Sequence, residues 1–283
     1  MSEYYYLISS LPELTAGEEF QSHPYDVFHT FVREELSSSD YRSFRRCFLL
    51  NDVSNLVEIL ENPNGIDERS WNTPCCFDRT ELEDGLQDTD NMPTFMADFI
   101  WDFRNEKRLY PQLKAKDELL RRMMDAVDAG SAEGLSGFTR DYLIFEAHLR
   151  NMTTALSFRE AGRSYTQHVI DFDHFSRQIA ASSAVDFGLG GELGLMSALP
   201  EAFEGLENPV DAEKAVVKTR WDWLDEQVDY RMFSSDAVFA YGIKIADVER
   251  WLKLTPETGR DRLDSLLERL HNDIRKTTQE TAS

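Results

Sequence analysis

Apolar residues recur along much of this chain at spacings of three and four. Tyr142, Phe145, Leu149, Met152 and Leu156 fall on one helical face, as do Val238, Tyr241, Ile245, Val248 and Leu252. Phe95, Phe99 and Phe103 step by four, and Leu263, Leu266, Leu267, Leu270 and Ile274 form a stripe between Thr258 and Lys276. Residues 138–161, 163–187 and 210–241 lack both proline and glycine, which favours helices over strands. Residues 37–62 read as a further helix, broken near Asn51–Asp52. Residues 22–36 read as another, with Ser22 as N-cap candidate and Pro24 in its first turn. Only YYYLIS near the start is compatible with a strand, and it suits a buried helical turn equally well.

The pattern predicts an all-α fold over residues 1–283, a single domain of helical subdomains at approximately 1–94, 95–181 and 212–283. Two stretches interrupt it. Residues 63–94 carry Pro63, Gly65, Pro74, Gly85 and Pro93 and read as a loop. Residues 182–211 are rich in glycine, hold no Lys or Arg, yet keep Phe, Leu and Met. That combination suits a mobile or partner-binding connection, or a segment packed over the core.

Charge narrows the function classes. The formal net charge is −22. Such a field repels phosphate backbones and anionic lipid surfaces, so neither nucleic-acid binding nor direct lipid insertion is expected. Residues 1–100 hold six arginines, no lysine and 20 acidic residues, a balance of −14, whereas residues 249–283 are neutral. The acidic part reads as solvated surface or as a docking face for a basic partner. There is no signal-peptide pattern and no apolar run long enough to span a bilayer. Cys47, Cys75 and Cys76 make no disulfide framework, so a reducing cytoplasm is the expected compartment.

Several chemistries lack their residues. GLGGELG at 188–194 has no lysine for a phosphate loop, and Glu192 would repel phosphates. DGLQDTDN at 84–91 lacks the order of a calcium loop, and no G-x-S-x-G elbow occurs. Asp26–His29 and Asp171–His174 are carboxylate-x-x-His pairs, which with Glu146 would compose a di-metal bundle site if helices brought them together. Trp101, Trp221, Trp223 and Trp251 read as core anchors, and Cys47 as a core cysteine.

The most distinctive stretch is FEAHLRNMTTALSFREAG at 145–162, which has Glu146, His148, Arg150 and Asn151 close together. FAYGIKIADVERWLKL at 239–254 echoes its rhythm and suggests an internal repeat of helical units. The pair resembles the C-type central-stalk component of V-type and A-type ATP synthases, whose eukaryotic counterpart is the d-type, and whose helices carry signatures in the style of E-x-R-N-I-x-x-x-L. Arg150, Asn151, Met152 and Leu156 stand at matching places in the first helix, with Glu146 as the acidic residue one turn before Arg150 and Arg159 as the basic residue that follows. Tyr241, Glu249 and Arg250 match in the second, with Trp251 where Asn is expected. YYYLISSLPEL and WLDEQVDYRMFSSDAVFAYGIKIADVERWLKL are similar to an uncharacterised bacterial family encoded with V-type ATPase genes in place of the C-type component. The resemblance implies three similar helical subdomains around a funnel, with no active site, metal or cofactor. It implies central-stalk subunits and the membrane rotor ring as partners, and a cytoplasmic location at the inner face of the plasma membrane through that complex. A helical scaffold unrelated to ATPases, or a di-metal enzyme built on Asp26, His29, Glu146, Asp171 and His174, are the alternative expectations.

Overall fold

The computed structural model describes residues 4–11, 14, 24–63, 65, 70–205 and 209–252. These residues are all-α: twelve α-helices and no strand among them. None of the helices is long and apolar enough to cross a membrane. The stripe expected at 258–276 and the Ser22 cap lie outside the described residues.

The organising element is α8 (Gly137–Glu160), capped by the Ser136 hydroxyl accepting from the Thr139 N–H. Its apolar residues go all round the helix, and each face enters a different core. Leu143 and Ala147 join one cluster with α4 (Leu49–Glu61), α6 (Thr94–Arg104) and α7 (Ala115–Asp128). Phe138 and Tyr142 join a second with α1 (Tyr5–Ser9), α2 (Pro24–Glu35), α3 (Ser38–Arg46) and α12 (Ser235–Leu252). Phe145, Leu149, Met152 and Leu156 enter a third with α9 (His174–Ala181), α10 (Leu199–Phe203) and the turns between them. The long helix α11 (Pro209–Val228) packs against both α8 and α12.

Gly242 of α12 lets that helix cross α2 closely. A Cβ there would lie 2.5 Å from a Phe44 ring carbon and 2.7 Å from one of Phe28. Hence a residue with poor helix propensity sits mid-helix.

Local expectations are corrected at the break in 37–62, at 63–94 and at Trp101, and decided between two readings at YYYLIS and at 182–205. The break in 37–62 falls at Cys47–Phe48, between α3 and α4; Asn51 and Asp52 lie inside α4, where their side chains serve another purpose described below. YYYLIS forms α1. Residues 63–94 include a helix, α5 (Arg79–Gly85), started by a capping box in which Asp78 accepts from the Glu81 N–H and Glu81 from the Asp78 N–H. Residues 182–205 are helical turns packed by Phe187, Leu189, Leu193, Met196, Leu199 and Phe203. Trp101 is 55% exposed rather than a core anchor, its ring under the Lys107 ammonium at 5.4 Å.

Candidate functional site

The polar residues of the two signature helices resolve into fasteners and a cleft. Glu146 projects from α8 toward α11, where Arg220 Nε donates to its Oε1 at 2.5 Å and Arg220 Nη2 to its Oε2 at 3.0 Å. Arg220 Nη1 also donates to Asp247 Oδ1 of α12 at 2.8 Å, and Trp221 Nε1 donates to Asp247 Oδ2 at 3.1 Å. One guanidinium thus joins three helices, bidentate to one carboxylate and single to the other. Burial disfavours its charged form, but Asp247 and Glu146 outweigh this and hold it well above the usual arginine range.

A second fastener uses the next turn of α8. Arg150 Nη2 donates to Asp117 Oδ1 of α7 at 2.7 Å. Asn151, fully buried, donates to the Ile170 carbonyl at 2.8 Å and accepts the Ile170 N–H at 2.9 Å, closing an amide pair onto the segment before α9. His148 Nε2 lies 2.6 Å from Asp173 Oδ2. Asp173 in turn caps α9. Burial raises the Asp173 carboxyl, but the bonds from His148 and the Ser176 N–H bring it down to about 2. Arg159, further along the helix, donates to the Ala184 carbonyl at 3.0 Å and lies 4.1 Å from the Phe187 ring centroid, pinning the following connection.

The later signature residues face a different place. Glu249 Oε2 accepts the Tyr25 N–H at 3.1 Å, Arg250 pairs with Glu213, and Trp251 packs on the small cluster of Val217, Trp221 and Val248. Tyr241 meets the Phe28 ring at 5.3 Å between centroids. Glu249 and Arg250 line a cleft of about 780 Å³, whose other walls come from α2, α3, α5 and residues 71–75. His29 stands in it, 2.9 Å from the Tyr41 hydroxyl, its pKa lowered by burial and by Arg45 and Arg33.

The wall at 71–77 is held almost entirely by side chains of α4. Asn55 donates to the Asn72 carbonyl at 3.0 Å and accepts the Asn72 N–H at 2.8 Å. Asn51 donates to the Pro74 carbonyl at 2.7 Å. Asp52, fully buried, accepts the N–H groups of Cys76 and Phe77 at 2.8 and 2.9 Å. These polar residues on neighbouring turns of one helix satisfy the backbone of a segment with little secondary structure of its own.

A family model described as a protein of unknown function matches residues 1–274. The chain belongs to the DUF2764 family. No curated protein and no solved structure matches it.

In this DUF2764 chain the five residues of the di-metal expectation are not brought together. Glu146 is engaged by Arg220, His29 by Tyr41, and Asp171 by Arg177 at 3.5 Å. Among the described residues no group of three or more His, Cys, Asp or Glu converges on a point. Burial pushes the thiols of Cys47, Cys75 and Cys76 up to about 12, so none is poised as a nucleophile. Sequence reasoning missed Arg220, Asp247, Asp117 and Asp52. Arg220 carried a signal only in hindsight: its side chain shares a helix with Trp221 and Leu224, both buried, so an arginine among them needs a partner.

Proposed function

We propose that this DUF2764 protein is a non-catalytic adaptor in the central stalk of a V-type ATPase or ATP synthase, linking the soluble stalk to the membrane rotor ring. The observation that carries this reading is the Glu146–Arg220–Asp247 fastener. The two helices that resemble the C-type stalk signature, α8 and α12, are tied to each other through one buried arginine of α11. Glu146, Arg150 and Asn151 of α8 and Asp247 of α12 serve to join helices, as a body that transmits torque requires. The acidic balance of −22 suits a component that receives Lys- and Arg-rich stalk proteins. On this reading the three subdomains at 1–94, 95–181 and 212–283 are pseudo-repeats around a funnel, located at the cytoplasmic face of the membrane through the complex. An affinity tag on this chain tests it. The stalk proteins and the rotor ring should come down with it, and a complex purified intact through its catalytic part without this chain would overturn the proposal.

A further inference from the structure

Beside the signature helix lies a groove that the arginine fasteners do not use, with His148, held by Asp173, in its wall. It is a cavity of about 490 Å³ between α8, α9, α11 and the turns at 192–196, within the size range of sites that take side chains or small ligands. Its floor is apolar. Trp223 and Phe145 stack at 4.7 Å between centroids and 15° between planes, and Leu193 and Met196 are buried beside them. Gly194, at φ +51°, turns the chain so that Leu193 enters the core while Leu195, the next apolar residue, is 36% exposed at the groove edge.

The rim is acidic. Asp141, Glu192 and Glu226 are exposed around this floor, and none has a hydrogen-bonded or ionic partner among the described residues. Among those residues no Lys or Arg lines the groove. Elsewhere the acidic residues have drawn in many of the chain's arginines, among them Arg150, Arg220, Arg231 and Arg250. The turns forming one side belong to the glycine-rich segment 182–211, whose lack of Lys and Arg keeps the local field negative.

We infer that this groove docks a cationic amphipathic helix of a partner protein, with its apolar residues on Trp223, Met196 and Leu195 and its Lys or Arg side chains against Asp141, Glu192 and Glu226. A groove with an apolar floor recognises a helix by its i, i+3, i+4 anchors, and the unpaired carboxylates select the sign of its flanks. A second copy meeting this groove through the same face would bring the same three carboxylates to the interface, and an anionic bilayer would face them with phosphates, so neither complements the rim. The inference stands on the groove alone and does not depend on the stalk assignment.

Calorimetric titration of the full chain with a peptide of roughly four helical turns of Leu and Lys, amphipathic in pattern, tests it. Binding should weaken at least about tenfold in Glu192→Lys/Glu226→Lys, both at exposed positions, and again in Leu195→Asp, whose melting curve is recorded alongside to show that it folds. Glu106→Lys/Asp128→Lys makes the same change in net charge on exposed sites of another part of the fold and should cost less than about twofold. A peptide with Ser in place of Leu should bind weakly. The inference fails if the two charge-reversed proteins lose affinity equally, since only diffuse attraction would then be at work. It also fails if the Ser peptide binds as tightly, or if Leu195→Asp instead abolishes a self-association seen by sedimentation.

Discussion

Replacing Arg220 by Met is the sharpest test of how this fold is held. The side chain is 12% exposed, and its two partners, Glu146 and Asp247, are 11% and 9% exposed. Methionine fills a similar volume, so packing changes little, but Glu146 loses its counter-charge and Asp247 keeps only the more exposed Arg250, 4.0 Å away. Removing one partner of a buried pair costs about 3–5 kcal/mol, because the remaining charge has lost its compensation after desolvation. A chain of this length unfolds with an entropy of roughly 0.6 kcal/mol/K, so that loss lowers Tm by about 5–8 °C. The orphaned carboxyls would take up protons more readily in the folded than in the unfolded state. The deficit should therefore narrow as pH falls from neutral toward about 4, and widen again as pH rises. Adding Glu146→Gln and Asp247→Asn to Arg220→Met should recover a large part of the loss. Thermal unfolding followed by circular dichroism reads all of this. A loss under about 1 kcal/mol for Arg220→Met, or no recovery in the triple variant, would refute the reasoning.

Three further outcomes are expected. Arg150→Ala should lower stability by about 1–2 kcal/mol, less than at Arg220, because its pair with Asp117 is more open to solvent, the arginine side chain being 30% exposed; an unchanged melting temperature would count against its role as a fastener. Gly242→Ala should destabilise by about 1–3 kcal/mol, the clash with the Phe44 and Phe28 rings outweighing the gain in helix propensity; a stabilised variant would show that the crossing relaxes. The Asp52 carboxyl is pushed up to about 7 by burial, against the hydrogen bonds from Phe77 and Cys76 that favour its charged form. Its folded value lies above its unfolded one, so its contribution is most favourable below about pH 4 and declines as pH rises through about 4 to 7. The stability difference between wild type and Asp52→Asn should shrink across that window, and a difference flat with pH in chemical denaturation would contradict it.

Much of the helical architecture could be read from spacing, because faces that must be buried impose their period on the sequence. Every residue of the 142–156 stripe is buried, and Phe95 and Phe99 are too. What spacing could not convey was that α8 is buried on three sides. Leu143 and Ala147 fall outside that stripe yet are in the core, since neighbouring helices arrive from distant segments. The break between α3 and α4 was misplaced for a related reason. Asn51 and Asp52 looked like helix breakers by composition, but they remain helical because their side chains bond the backbone of 74–77 instead of their own. Helix α5 was legible in principle through the D-x-x-E spacing of Asp78 and Glu81, and was obscured by the prolines and glycines around it. At the site, Glu146, Arg150 and Asn151 announced themselves as polar groups on an apolar helix. Their partners Arg220, Asp247 and Asp117 did not, because nothing local distinguishes them from the many charged residues that stay in solvent.

Coupling of a stalk to a ring, without chemistry of its own, is the role proposed for this protein. Inverted membrane vesicles from cells lacking the chain, and from cells in which it is restored, test that role most directly when ATP hydrolysis and ion uptake are measured together. Without the chain, ion uptake should be lost while the soluble catalytic part still hydrolyses ATP, and restoring the chain should restore uptake. Full ATP-driven ion uptake in vesicles lacking the chain would contradict the proposed role.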